Sequence, residues 1–261
     1  MEGKGRLMQW AYGVTAVTER KDTLLPATIA SLGKAGFSNP QVFADDSRRP
    51  IGAFGNWVIA AWSVYLRDPY ADRFLLCQDD IECSSNLREF LEKSRYPDHG
   101  YWNLCLWKPN ADDRTGWYPA PDPCGLGAQA LVFNNEAMQV LLKSHWLVDH
   151  PCDRFRGTRA IDGIVKTALG ASGYKEFVHS PSPVRHMGAK CSTLQTFGYQ
   201  ETANFMGEDF DLLRCLGGVC DSCGSNLDVT LSNDTYEYEI QGDPAPRLRC
   251  DVCRQEGARD A

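Results

Sequence analysis

The sequence has no long apolar run and no excess of positive charge. Arg67, Asp68 and Asp79 interrupt its most apolar windows, so none approaches the roughly 20 apolar residues of a membrane helix. The first six residues are rich in charge and lead into no apolar stretch typical of a signal peptide. Lys and Arg number 27 against 34 Asp and Glu, a net charge of −7. We therefore expect no membrane span, and nucleic acid is not the default partner.

The cysteine pattern is not that of a disulfide-rich secreted protein. There are 11 cysteines, and some of them, such as Cys77 and Cys105, stand singly inside apolar, strand-like runs. Four others form two Cys-x-x-Cys pairs, Cys220 with Cys223 and Cys250 with Cys253. This spacing suits a metal better than disulfides. Both features predict a reducing, cytoplasmic location.

The two cysteine pairs predict a zinc ribbon over residues 215–256. They are separated by 26 residues that contain short strand-like segments. Four thiolates supply a closed tetrahedral site, so this Zn²⁺ is expected to be structural. Acidic residues between the pairs, among them Asp234 and Glu237, argue against a phosphate-binding face.

The 261 residues suffice for one sizeable α/β domain, expected over 7–214, and a small appendage. Apolar runs predict strands at 10–17, 41–44, 73–77, 101–107 and around 128–133, and helical periodicity predicts helices at 24–32, 55–66, 86–93, after Asn135 and after Asp162. A polar loop covers 110–123. This alternation is typical of an open, mostly parallel sheet, which binds ligands beyond the carboxyl ends of its strands.

Three acids follow the apolar run at 73–77. Asp79, Asp80 and Glu82 lie within the segment FLLCQDDIE, and such clustered charge is costly unless a cation neutralises it. Mg²⁺ or Mn²⁺ held by one or two carboxylates keeps coordination positions open for phosphates. The competing interpretation is a solvated acidic turn, which is common after strands.

This segment, with the helical stretch 86–91 that follows it, resembles the D-x-D region of GT-A glycosyltransferases. It is most similar to the E-D-D form found in N-acetylglucosaminyltransferases. The resemblance implies that Asp80 is the main metal ligand and that Asp79 helps to place ribose or sugar hydroxyls. Gln78 departs from the pattern, because it stands where the family has glutamate.

Segments 17–20, 45–46 and 185–192 extend the resemblance over residues 10–195 in the family's order. It implies that His186 completes the metal site and that Lys190 contacts a phosphate, although a packed or surface histidine is the alternative for His186. The residues implied to lie near the base and ribose of the nucleotide are Thr18, Glu19, Arg20, Asp45 and Asp46.

Two further positions resemble parts of the donor and acceptor sites. Gly127, in the small-residue segment 125–130, resembles the strand start that lines the donor-sugar pocket, although packing alone also explains it. Asp162 matches the place where inverting GT-A enzymes hold their general base, and an ordinary helix N-cap is the alternative. Asp149 and Asp153 are the other candidates for the base.

These observations predict a metal-dependent glycosyltransferase that moves a sugar from a nucleotide-diphosphate donor to an acceptor hydroxyl with inversion. The acceptor is left open between a glycan, a protein and a modified nucleic acid. Trp107, Trp117 and Tyr118 border the polar loop and either stack on a sugar or serve in packing. The alternative is a nucleic-acid-associated zinc-ribbon protein whose α/β domain binds or modifies DNA or RNA.

The zinc ribbon gives a first testable prediction. Purified protein should contain one Zn²⁺ per chain by elemental analysis, and the double variant Cys220→Ser/Cys250→Ser should lose it, because a ribbon of this size depends on its metal for folding. Cys215→Ser, which leaves both pairs intact, is the control and should keep its zinc. An unchanged zinc content in the double variant would contradict the prediction.

Overall fold

The structure, a computed structural model, describes residues 7–46, 51–111, 113–121, 127–148, 161–187 and 202–216. Several predicted features lie outside these ranges, namely Lys190, Asp149, Asp153 and the zinc ligands Cys220, Cys223, Cys250 and Cys253. No helix within the described ranges is long and apolar enough to cross a bilayer.

The described residues are built around a seven-stranded sheet and a two-stranded sheet. In chain order the strands are β1 (Trp10–Val17), β2 (Gln41–Asp45), β3 (Arg73–Gln78), β4 (Ile81–Cys83), β5 (Gly100–Asn103), β6 (Gly116–Pro119), β7 (Ala130–Asn134), β8 (Lys175–Ser180) and β9 (Val184–His186). The large sheet has the order β2-β1-β3-β7-β5-β8-β6, and β4 pairs with β9. Only β7 and β6 run against the other strands of the large sheet. The prediction of a mostly parallel α/β sheet is confirmed.

Helices cover both faces of the large sheet. They are α1 (Leu24–Lys34), α2 (Gly52–Arg67), α3 (Leu87–Lys93), α4 (Asn135–Lys143), α5 (His145–Val148) and α6 (Ile161–Gly170). On β3, Phe74 and Leu76 join the core formed with α2, α4 and α6, whereas Leu75 and Cys77 join the core formed with α1 and α3. A strand buried on both faces has no polar side, which is why β3 is a continuous apolar run.

One predicted strand is shorter in the structure than in the sequence interpretation. β5 ends at Asn103, although the apolar pattern continues to Trp107. The Asn103 side chain accepts a hydrogen bond from the Cys105 amide at 3.1 Å, and the chain then leaves the large sheet to bridge Val184 and Thr202. This departure carries Trp107 towards the end of the sheet at which the predicted site residues lie.

The structure contains four strands that the sequence did not reveal. β4 and β9 form the small sheet, β6 lies inside the predicted polar loop 110–123, and β8 follows α6 and pairs with both β5 and β6. The helix predicted to be capped by Asn135 is instead capped by Asn134, whose side chain accepts a hydrogen bond from the Ala137 amide at 2.7 Å.

Candidate functional site

The predicted metal-binding segment lies at the carboxyl end of β3, between two other chain segments. Asp79 and Asp80 directly follow the strand and are both buried. The neighbouring β1 ends in a single 3-10 turn, Thr18–Arg20, which brings Arg20 to the same place. His186 arrives from β9, where it stands opposite Ile81 of β4. The structure therefore brings together Asp79, Asp80, Arg20 and His186.

The guanidinium of Arg20 bridges the two aspartates. Its Nη1 lies 3.2 Å from Asp79 Oδ1 and also donates to Asp80 Oδ2. The other oxygen of Asp79 accepts a hydrogen bond from the Val17 amide at 3.0 Å. Arg20 is only 13% exposed, so this ion pair is largely shielded from water.

His186 contacts the second aspartate. Its Nε2 lies 3.1 Å from Asp80 Oδ2, and the Met187 amide donates to the Asp80 carbonyl at 2.8 Å. The antiparallel pairing of β4 with β9 fixes this contact, because it sets the loop after β3 against the end of β9. Two residues 106 positions apart in the sequence thus share one contact.

The two aspartates are in different electrostatic environments. Burial raises the pKa of Asp79 above its ordinary value, and Arg20 and the Val17 amide oppose this only in part. Burial also acts to raise the pKa of Asp80, but His186 and Arg20 outweigh it, so that this pKa is lowered. Asp80 is therefore the carboxylate that the site keeps ionised most firmly.

Several buried polar atoms at this site have no hydrogen-bond partner among the described residues. They include Asp80 Oδ1, His186 Nδ1, Arg20 Nε and Trp107 Nε1. Leaving such atoms unpaired is costly, and a site for an ion or ligand is one recognised reason for it. Among the described residues there are ten such atoms, and five of them belong to this region: the four named above and Gln129 Oε1.

The donor set fits a divalent cation that also binds phosphate. Within the described residues no three or more His, Cys, Asp or Glu side chains gather as a complete metal cage. Mg²⁺ needs no such cage, because it is usually held by one or two carboxylates, waters and substrate phosphates. Asp80, with one unpaired oxygen, and the adjacent imidazole of His186 meet that requirement.

The third acid of the segment does not join the cluster. Glu82 lies on β4 between the buried Ile81 and Cys83, so the alternation of side chains along a strand turns it outward. It pairs instead with Arg185 on β9. The expectation of three clustered carboxylates is therefore wrong, and two remain.

The residues predicted to contact the nucleotide lie beside this cluster, at the ends of β1 and β2. Thr18 Oγ1 donates to the Asp45 carbonyl at 3.0 Å, and Asp45 Oδ2 accepts from the Gly52 amide at 3.0 Å. Glu19 and Asp46 are exposed at the same edge.

A buried asparagine on α2 holds this edge together. Asn56 Nδ2 donates to the carbonyls of Ala16 at 3.2 Å and Phe43 at 2.9 Å, and so ties β1 to β2. The sequence interpretation missed Asn56, but a polar residue on the apolar face of a predicted helix was a usable signal.

Gly127 lies at the amino end of β7 and is held from both sides. Its φ is +83°, and a Cβ there would lie 1.6 Å from Trp107 Nε1, so only glycine fits. Asp162 Oδ2 accepts a hydrogen bond from the Gly127 amide at 2.7 Å, and Asn103 Nδ2 donates to the Gly127 carbonyl at 2.8 Å. Trp107 fills the space beside this glycine, so the packing explanation is the one that the described residues show.

A buried carboxyl group supports this arrangement from behind. Glu176 on β8 accepts hydrogen bonds from Asn103 Nδ2 at 2.7 Å and from the Tyr101 hydroxyl at 3.2 Å. Burial raises the pKa of Glu176 to about 7, although both hydrogen bonds act to lower it. Sequence reasoning missed Glu176, because it lies on a strand that the sequence did not reveal.

Asp162 is part of the same network. It lies at the second residue of α6, not at an N-cap position, and its Oδ1 accepts a hydrogen bond from the Gly163 amide at 2.8 Å. The other oxygen bonds to Gly127, so two backbone amides fix the orientation of the carboxylate. The side chain is half-buried.

Trp107 connects the two halves of the site. It packs against Gly127, and its ring centroid lies 5.7 Å from that of His186. Trp117 instead stacks on Trp102 at 4.7 Å, and Tyr118 is buried. For these two aromatic residues the packing alternative is the one that the structure shows.

Comparisons with known proteins give only distant likenesses. No family model matches the sequence, and no curated protein matches it. The catalytic domain of Drosophila beta1,4galactosyltransferase 7 in complex with xylobiose is 12% identical, with 96% of this chain and 98% of that chain covered and a TM-score of 0.42. A glycosyltransferase involved in glycosylation of the PBCV-1 major capsid is 12% identical, with 66% and 82% covered and a TM-score of 0.38. Likenesses this distant say nothing about the reaction of this chain.

Glu176 gives a prediction about stability and pH. Its folded-state pKa of about 7 exceeds the ordinary value of 4.5, so the folded protein binds this proton more tightly than the unfolded chain does. The contribution of Glu176 to the free energy of unfolding should therefore be largest at low pH. It should fall by at most about 3 kcal/mol as the pH rises from about 4.5 to about 7. Glu176→Gln should remove this decline, measured by denaturant unfolding at several pH values.

The effect of Glu176 is the difference between the free energies of unfolding of wild type and Glu176→Gln at each pH. Burial lowers the pKa of His179 to about 4, and this group contributes the opposite slope over part of the same pH range. Glu89→Gln, on the exposed face of α3, is the control and should follow the wild-type profile. Parallel profiles for wild type and Glu176→Gln would contradict the prediction.

Proposed function

We propose that this protein is a nucleotide-sugar transferase of the GT-A type that uses Mg²⁺ or Mn²⁺. The observation that carries the proposal is the meeting of Asp80 and His186 at the carboxyl end of β3, with a buried, unpaired carboxylate oxygen between the strands and a guanidinium beside it. Carboxyl ends of parallel strands are where open α/β sheets bind ligands. The sequence resemblance to the D-x-D region falls on the same residues.

In this proposal Asp80 and His186 hold the cation, and the neighbouring segments hold the nucleotide. When bound, the cation neutralises the diphosphate and makes the nucleotide a better leaving group. Arg20 lies where it can add charge-assisted hydrogen bonds to a phosphate. Thr18, Glu19, Asp45 and Asp46 border the same edge, where we place the base and ribose.

The donor sugar is assigned to the region of Gly127 and Trp107. Trp107 packs against Gly127 and lies between this glycine and His186. The sugar would then lie between the cation ligands on one side and Asp162 on the other. The identity of the sugar and of the acceptor is left open.

Asp162 is proposed as the general base. In a single displacement the acceptor hydroxyl loses its proton as it attacks from the face opposite the diphosphate. Asp79 and Asp80 are engaged with Arg20, and Glu176 is buried, whereas Asp162 is half-buried and fixed by two amides. A fixed carboxylate of this kind keeps lone pairs for a hydroxyl proton.

The role of Asp80 can be tested by thermal shift with a panel of nucleotide sugars, with and without Mn²⁺. Wild type should be stabilised only when the correct donor and Mn²⁺ are both present, by about 2.7 kcal/mol at a donor concentration a hundred times Kd. Asp80→Asn should lose this shift and turnover, because it loses the charge that holds the cation.

Glu82→Gln is the matched control, since it lies two residues away but is paired outside the site with Arg185. It should keep the full shift. If Asp80→Asn behaved like wild type at low Mn²⁺, the acidic segment would be a structural turn. A salt-dependent mobility shift with DNA or RNA, without any nucleotide-sugar response, would favour the nucleic-acid alternative.

Asp162→Asn tests the general base. Turnover should fall by about 10²- to 10⁴-fold, as is typical when a general base is lost. Donor binding, followed by the same thermal shift, should change little, because the oxygen of the new carboxamide can still accept one backbone hydrogen bond. The product of wild type should have inverted anomeric configuration. A near-full rate in Asp162→Asn would remove this residue from the mechanism, and retained configuration would exclude the single displacement.

A further inference from the structure

Arg20 contacts the carboxylate that holds the cation in the proposed function. Its guanidinium contacts both Asp79 and Asp80, and it bonds the same Asp80 oxygen that faces His186 Nε2. Asp80 is 3% exposed and His186 is 9% exposed, so Arg20 belongs to a closed cluster. An ion that binds Asp80 in this arrangement would lie beside a full positive charge.

The unpaired atoms show that this closed arrangement is incomplete. Asp80 Oδ1 and His186 Nδ1 are buried without a partner among the described residues, as is Arg20 Nε. A cluster that served only to neutralise two carboxylates would gain by pairing these atoms. The arrangement satisfies the charge of the aspartates but leaves Asp80 Oδ1 and His186 Nδ1 without a partner among the described residues.

The backbone around Arg20 is less buried than the backbone that carries the two aspartates. Residues Thr18–Arg20 form a single 3-10 turn, in which none of the three residues is buried and Thr18 and Glu19 are exposed. The aspartates, by contrast, follow a strand that is buried on both faces. A rearrangement at this site would therefore move Arg20 in preference to Asp79 or Asp80.

We infer that Arg20 is a resident counter-ion that competes with the divalent cation for Asp80. Arg20 releases Asp80 when the donor arrives with its cation, and its planar fork then turns to the diphosphate, which it can bind through two parallel hydrogen bonds. The inference rests on the proposed function. It implies weak binding of Mn²⁺ alone and strong mutual enhancement between Mn²⁺ and the donor, which is reciprocal by linkage.

The test measures Mn²⁺ binding without any nucleotide, by the electron paramagnetic resonance signal of free Mn²⁺. Arg20→Gln should bind Mn²⁺ about tenfold or more tightly than wild type, because removing a like charge next to the ligands favours the ion. It should also melt at a lower temperature without metal and recover with Mn²⁺, whereas Mn²⁺ should hardly change the melting of wild type. Lys21→Gln is the matched control, since it removes one positive charge from the exposed neighbour of Arg20 and should behave as wild type.

Arg20→Lys keeps the charge and provides a second variant if Arg20→Gln does not fold. It should retain the weak Mn²⁺ binding of wild type but lose part of the enhancement by donor, because an ammonium lacks the bidentate fork. Equal Mn²⁺ affinity in wild type and Arg20→Gln, with donor-dependent Mn²⁺ binding intact, would overturn the competition and leave the proposed function standing. Failure of all variants to bind Mn²⁺ with any donor would overturn both.

Discussion

Two adjacent buried carboxylates share one guanidinium at the end of β3, and the surrounding segments are positioned by this cluster. Asp79 fixes the end of β1 through the Val17 amide, and the Asp80 carbonyl fixes the end of β9 through the Met187 amide. Buried charges are tolerated only when they are paired and hydrogen-bonded. The pairing of β4 with β9 brings His186 to Asp80, and the charges of Asp79 and Asp80 hold the Arg20 side chain against both carboxylates.

A second polar network positions the chain segments on the other side of Trp107. Asn103 donates to both Gly127 and Glu176, and its side-chain oxygen accepts from the Cys105 amide, which turns the chain away from the sheet. That turn delivers Trp107 to its position against Gly127. The side-chain amide of Asn103 thus positions the end of β5, Gly127 and Trp107 together. Packing in this half of the site therefore depends on hydrogen bonds that few sequence patterns reveal.

The sequence predicted those features that depend on residues close together in the chain. The apolar run of β3 and the acids after it are contiguous, so the strand and the site position follow directly from them. The contact of Arg20 with Asp80 spans 60 residues, and that of Asn103 with Glu176 spans 73. Such pairings depend on strand order, which periodicity does not encode. His186 is predicted only by resemblance, and Glu82 leaves the cluster because it lies on β4, a strand that the sequence did not reveal.

The carboxylates of the site are divided between two kinds of environment, and this division supports two different roles. Asp79 and Asp80 are buried and held by a full positive charge from Arg20. Asp162 is half-buried and is oriented by the dipoles of two backbone amides. A group that binds a cation benefits from firm ionisation, whereas a group that accepts a proton must remain able to do so. Glu176, whose pKa is near 7, limits the negative charge close to Asp162 because burial favours its neutral form. In the proposed function, the fold thus separates cation binding at the end of β3 from proton transfer at α6, with Trp107 in contact with both regions.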